Sequence, residues 1–222
     1  MSDAVPTVAS RRIADQIRER ILAGELAPGT RIIQDELAEE LETSRIPVRE
    51  ALRMLESSGL VTMKSNLGAW VSKMDQRECD LTYRIRERIE PLLLAESIPH
   101  LTDTDIAEMD DIQDRIEATS DVEEFLVLDR RLHWTTYRGH DADELAMMIA
   151  RMWDTTHHYR RAYTRLAGSQ RRWIINSEHR LLIEAIRDRD VVSAEAIMAM
   201  HIRRTRIELA AHPEVFELPL RD

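Results

Sequence analysis

Residues 43–59, TSRIPVREALRMLESSG, constrain this chain more than any other stretch. Ser44 can cap a helix, its hydroxyl accepting a free N–H of the first turn. Pro47 follows inside that turn, where its missing N–H costs little. Val48, Ala51, Leu52 and Leu55 recur at helical spacing and make one apolar face, and Gly59 supplies the stop. Arg45, Arg49 and Arg53 fall every fourth residue, so they share one stripe. That stripe suits a guanine edge or a phosphate, but Glu50 and Glu56 stand nearby, and a solvated charged face fits the pattern equally well.

The flanks separate these readings. Residues 33–41, IQDELAEEL, predict a short helix with Leu37, Ala38 and Leu41 on one side. Only Glu42 and Thr43 lie between it and the capped helix, which is the tight connection of a helix-turn-helix. Downstream, residues 60–63 and 69–71 are short apolar runs around Ser65-Asn66-Leu67-Gly68, the pattern of a β-hairpin, or wing. Upstream, Ile13, Ile17, Ile21 and Leu22 make a first amphipathic helix, ended by Gly24 and the turn Leu26-Ala27-Pro28-Gly29. The expectation is a winged helix-turn-helix over residues 1–74.

These residues resemble a known family. LAPGTRI, ELAEEL, SRIPVREALRMLESSGLV and NLGAWV are similar to the DNA-binding domain of the GntR family of bacterial transcription regulators, over residues 10–71. The resemblance implies that Ser44, Arg45 and Arg49 approach double-stranded operator DNA from the recognition helix, and that Gly68 lies at the wing tip. Two positions depart from the family pattern. Ile46 stands where threonine is frequent, which replaces a hydroxyl by a group suited to a thymine methyl. Glu42 stands where the turn often has glycine.

Over 222 residues there are only 6 glycines and 7 prolines, which favours a mostly helical protein with room for two modest domains. The net charge of −10 does not oppose DNA binding, because residues 1–74 hold 10 basic and 11 acidic residues and the remaining −9 lies beyond them. A single cysteine, Cys79, excludes an internal disulfide and fits a reducing cytoplasm. MSDAVPTVAS has no basic start before an apolar core, so no signal peptide is expected, and no apolar run approaches the roughly 20 residues of a membrane span.

Residues 75–222 show helical periodicity throughout and predict an all-α antiparallel bundle of about six helices, with a kink or break near Pro91. Asp129 and His133 are four residues apart on one helix and point the same way. His179 lies about two helices further on and His201 in the last helix. Together they could hold Zn²⁺, Ni²⁺, Mn²⁺ or Fe²⁺. Asp-x-x-x-His alone does not separate a metal pair from a hydrogen-bonded pair, and four other histidines are present: His100, His140, His157 and His158.

A second resemblance bears on this choice. Residues 76–211 look like the FCD effector domain of the FadR subfamily, whose metal-binding members carry Asp-x-x-x-His, a histidine in a SEHR-like segment and a later histidine. LDRRLHWT, NSEHRLLIEAI and AMHIRRT match these. The resemblance implies a divalent metal on Asp129, His133, His179 and His201, and a homodimer. In YRIRERIEPLLLAES it implies that Arg86 faces an effector cavity beside Glu90, a candidate clamp for a small organic acid. Residues 150–163, ARMWDTTHHYRRAY, are a further candidate lining. The expected protein is therefore a cytoplasmic repressor whose operator affinity follows a carboxylate bound at the metal. Two rivals remain. In one the metal itself is the signal. The other is a metal hydrolase or oxygenase, against which stand the DNA-reading domain and the want of a placed general base, since Glu178 points about 100° from His179 on its helix.

Overall fold

The structure, a computed structural model, describes residues 7–64, 68–168 and 172–217. The chain divides into two units, one built mainly of residues up to Asp75 and one of Gln76–Met152 with Tyr159–Val215.

In the first unit the order is α1 (Val8–Leu22), β1 (Arg31–Ile32), α2 (Gln34–Glu40), α3 (Arg45–Ser57), β2 (Val61–Lys64) and β3 (Gly68–Val71). Thr7 caps α1 by accepting from the Ser10 N–H. The faces expected to be apolar meet in one core: Ile13, Ile17 and Ile21 from α1, Leu37 and Ala38 from α2, Val48, Ala51, Leu52 and Leu55 from α3. Val61, Ala69 and Val71 close it from the sheet. The sheet runs β1-β3-β2, antiparallel throughout, with Arg31 and Thr62 both opposite Trp70. The expected hairpin is β2–β3; its turn residues Ser65, Asn66 and Leu67 lie outside the described residues. Strand β1 leaves no signal in the sequence, because two residues carry no periodicity.

The ends of the two helices of the helix-turn-helix follow one plan. After α3, Gly59 is left-handed (φ 79). Its N–H bonds to Glu56 O, and the Leu60 N–H reaches back to Leu55 O. After α2, the Glu42 N–H bonds to Glu39 O and the Thr43 N–H to Ala38 O. This is the same Schellman arrangement, but here the left-handed residue is Glu42, at φ 48. The geometry explains why glycine suits the position. At the start of α3, Ser44 has the extended backbone of a cap (φ −87, ψ 164), yet its side chain makes no capping hydrogen bond. The expectation of a hydroxyl cap is corrected: the Ser44 side chain is left exposed at the helix tip.

The second unit is an antiparallel helical bundle: α4 (Gln76–Ser97), a 3-10 turn (Ile98–His100), α5 (Asp103–Ala118), α6 (Val122–Thr136), α7 (Asp143–Ala167), α8 (Arg172–Arg187) and α9 (Val191–Ala211). Helix α4 packs along α9, α5 against α6 and α8, and α8 against α9. Polar residues set the starts. Thr102 and Asp105 form a capping box on α5, Asp121 accepts from the Glu124 N–H, and Asp190 accepts from the Ser193 N–H. Helix α4 continues through Pro91 without a break. Proline removes one backbone donor, while burial of Glu90, Pro91, Leu93 and Leu94 holds the helix on both sides of it. Cys79 is buried, and burial pushes its thiol up to about 12, so it is an inert core residue. No helix among the described residues is long and apolar enough to cross a membrane.

Glu42→Gly relieves the left-handed strain at the α2–α3 turn, partly offset by glycine's larger loss of chain entropy. The expected result is a gain of about 0.5–1 kcal/mol in urea denaturation of the full chain. A lower midpoint at unchanged slope would contradict it.

Candidate nucleic-acid interface and metal centre

The outward face of α3 carries Arg45, Ile46, Arg49 and Arg53, all exposed, with Ser44 exposed just before them. Arg45 does not point freely into solvent. Asp35, in the first turn of α2, faces it across the helix-turn-helix, with Nε 2.5 Å from Oδ1 and Nη2 2.7 Å from Oδ2. Gly68 opens β3 with φ 115, and a Cβ there would sit 3.7 Å from the Arg31 Nε. Arg31 and Lys64, on the two strands flanking β3, lie over the Trp70 ring at 5.7 and 5.0 Å from its centre. Sequence reasoning passed over these two cations, because their meeting depends on the pairing of β1 with β3.

In the helical unit, Asp129 and His133 on α6, His179 on α8 and His201 on α9 are all buried. Each offers a ligand atom, and these atoms lie within 4.8 Å of one another. Two ligands at about 2.0–2.2 Å from one ion can be no more than about 4.4 Å apart, so small side-chain adjustments would close the set around an ion. The polar atoms fit such an ion. His179 Nε2 has no hydrogen-bond partner and is 3.7 Å from Asp129 Oδ1, which also has none. Three imidazoles and one carboxylate form a borderline donor set suited to a first-row divalent ion.

Each of three ligands is held from behind. Gln113 on α5 lies 2.8 Å from His179 Nδ1 through Oε1. Glu178 on α8 lies 2.9 Å from His201 Nδ1 through Oε2, and its other oxygen accepts from Arg204 Nε at 2.6 Å. Arg160 on α7 brings Nη2 to 2.6 Å from Asp129 Oδ2. Carboxylate and amide oxygens can only accept. The Nδ1 atoms of His179 and His201 therefore carry hydrogens, and their Nε2 lone pairs are left for the ion. Glu178 does point away from His179 on its own helix, as expected, but α9 delivers His201 to it. It is a buried partner of a ligand, and sequence spacing along one helix could not reveal that.

Electrostatics favour the same protonation pattern. Burial alone would raise the Asp129 carboxyl, but Arg160 and the surrounding imidazoles outweigh it and hold it well below the usual range. Burial pushes His133 well below its ordinary value despite the pull of Asp129. Burial and the neighbouring His201 bring His179 down to about 3. Burial would likewise raise Glu178, but hydrogen bonding to His201 and the charges beside it keep it low.

Arg86 is 3% exposed, not part of a charged surface. Its Nε lies 2.5 Å from Glu90 Oε1, one turn along α4. Glu90 Oε2 accepts from the Tyr137 hydroxyl at 2.8 Å, and the Tyr137 ring stands 6.4 Å from that of His133. Arg86 is therefore linked towards the cluster only through Glu90 and Tyr137, with its charge balanced by Glu90.

A winged helix-turn-helix with an arginine face, followed by a helical domain enclosing a titratable cluster, defines a transcription regulator with a sensor domain. Residues 9–71 match the family described as "Bacterial regulatory proteins, gntR family", and residues 81–204 match the FCD domain. The chain belongs to the GntR family of bacterial transcription regulators and carries an FCD domain. It is similar to the HTH-type transcriptional regulator McbR of Escherichia coli, 28% identical over 64% of this chain and 66% of that protein. The gluconate operon transcriptional repressor of Bacillus licheniformis is 28% identical over 58% of this chain and 54% of its own length. Among solved structures, E. coli McbR/YncC matches the fold with a TM-score of 0.82 at 22% identity, over 93% of this chain and 99% of that one. This is a family of regulators, and the enzyme reading is set aside.

The pH response of the metal-free protein follows from these groups. In the unfolded chain His133 and His179 take up protons near pH 6.5, whereas in the folded chain they resist. The unfolded state then binds more protons, so stability falls as pH drops below about 6.5. Asp129 adds a contribution present above about pH 4 and lost below it, because its folded carboxyl is depressed. The melting temperature in chelator is expected to fall between pH 7.5 and pH 5, and less steeply in His179→Gln. A flat profile for the unmodified chain would contradict the buried neutral imidazoles.

Proposed function

We propose that the chain is a homodimeric repressor that reads a near-palindromic operator through α3 and the wing. A small organic acid bound at a divalent metal in the helical domain controls its affinity for that operator. The convergence of Asp129, His133, His179 and His201 from three helices carries this reading. On the DNA side, Ser44, Arg45 and Arg49 meet the major groove from the first turns of α3, and Gly68 belongs to the wing. One winged helix covers only a short half-site, so a symmetric pair doubles the contact. The gluconate operon repressors of two Bacillus species among the relatives agree with a repressor role.

The four protein ligands leave a coordination position to a carboxylate oxygen on a metal that takes five or six. The metal itself would polarise and neutralise that carboxylate. Arg86 is the second anchor: a buried cation, linked to the cluster through Glu90 and Tyr137, that an acid would take over from Glu90. The acid shifts DNA affinity only by its preference between two states of the chain, typically about 1–3 kcal/mol, and DNA must weaken the acid by the same factor.

Three measurements test this. Arg45→Ala or Arg49→Ala costs about 1–3 kcal/mol of operator binding if the side chain reads a base, and equal losses on operator and scrambled DNA would reduce it to a phosphate contact. His179→Ala and His201→Ala lower metal content by elemental analysis, and full occupancy in both would overturn the ligand set. Calorimetric titration of an acid with and without operator then reads the coupling. Arg86 is replaced together with Glu90 (Arg86→Met, Glu90→Gln), because removing one partner alone strands a buried charge at a cost of about 3–5 kcal/mol. The double variant is expected to weaken the acid and retain the metal. If metal alone shifts operator affinity and no acid does, the metal is the signal.

A further inference from the structure

The pairing of Asp35 with Arg45 carries information about the DNA sequence that is read. We infer that Asp35 holds Arg45 in position to read a guanine, which makes Asp35 a specificity-determining residue although it lies outside the recognition helix. The inference rests on the proposed reading of DNA by α3.

A guanidinium has two edges able to give two parallel hydrogen bonds. One is formed by Nε and Nη2, the other by Nη1 and Nη2. Asp35 occupies the first: Oδ1 lies 2.5 Å from Nε and Oδ2 2.7 Å from Nη2. The second edge keeps two parallel donors. In the major groove guanine presents two adjacent acceptors, N7 and O6, whereas adenine presents one acceptor and one donor. An arginine whose side edge is already taken can therefore satisfy guanine with its end edge and no other base so well.

The fold makes the pair and fixes its place. Arg45 is the first residue of α3, and Asp35 is the second residue of α2. The Schellman turn at Glu42 brings these helix starts together, so the carboxylate approaches from beside the groove-facing end of α3. Both side chains are largely exposed, 73% for Arg45 and 57% for Asp35. An exposed pair adds little to folding stability. Its effect is instead to reduce the rotamer freedom that a long side chain loses on binding, and to align the donors before contact. A carboxylate near the groove also repels phosphate, so it lowers affinity for any DNA on which Arg45 finds no guanine.

The experiment selects duplexes from a random-sequence library with the purified full chain. It then measures binding to the selected site, to single-base variants of it and to a scrambled duplex, for the unmodified chain, Arg45→Ala, Asp35→Ala and Asp35→Asn. Thermal melts show whether each variant folds. The expected result is a guanine preference at one position per half-site, absent in Arg45→Ala. In both Asp35 variants it falls on the order of tenfold, while affinity for the scrambled duplex stays level or rises. Asp35 variants that keep full discrimination at every position would overturn the inference. So would an Arg45→Ala variant whose only loss is at a base other than guanine. If the unmodified chain selects no motif at all, the proposed DNA reading fails first, which is a distinguishable outcome.

Discussion

The helical domain is organised around a buried negative charge. The Asp129 carboxylate is fully enclosed, and an isolated charge in such a place is strongly unfavourable. The surroundings must answer it, and they do so from three other helices: Arg160 from α7, His179 from α8 and His201 from α9. The imidazoles are in turn oriented by Gln113 and Glu178. Two independent partner chains, Gln113–His179 and Arg204–Glu178–His201, thus end on one point. A cation at that point would complete a network whose outer half is already in place. Without one, the Arg160 guanidinium, 2.6 Å from Asp129 Oδ2, is the positive charge that answers the carboxylate.

The same logic of partnered charge appears at the DNA-facing end, with the opposite exposure. There the arginines stand in water, where ion pairs contribute little to stability. Their arrangement is set by the turn between α2 and α3, and that turn tolerates a glutamate in a conformation better suited to glycine. Local strain at Glu42 and an orienting acid at Asp35 both lie at the helix starts and ends that face outward, not in the apolar core of Val48, Leu52 and Leu55.

Much of the fold is written in periodicity. The apolar spacing of Ile13, Ile17 and Ile21 and of Val48, Leu52 and Leu55 marks helices directly, and alternation around Ala69 and Val71 marks a strand. Element type was legible wherever a pattern repeats. It was not legible in β1, whose two residues are a strand only because β3 lies alongside. Pro91 suggested an interruption that packing overrides, and Ser44 suggested a capping bond that its side chain does not make. The four titratable residues of the cluster were legible by their spacing and their resemblance to a family pattern. Their supporting partners were not. Glu178, Gln113 and Arg160 acquire their places from contacts across helices, which one-dimensional spacing does not encode. Arg86 was marked by resemblance, but its pairing with Glu90 and, through Glu90, with Tyr137 appears only in three dimensions.

The distribution of the cluster along the chain has a consequence for biosynthesis. The core of the winged helix closes within residues up to Val71, whereas the cluster needs α6, α8 and α9 together. Domains generally fold as units, N-terminal first, as a chain leaves the ribosome. A growing polypeptide therefore acquires its DNA-reading surface well before its sensor. Any nascent or protease-clipped fragment that lacks α9 would keep the folded winged helix but lack His201, and with it one corner of the cluster, so incomplete copies would differ from the full chain in that cluster before they differ in the winged helix.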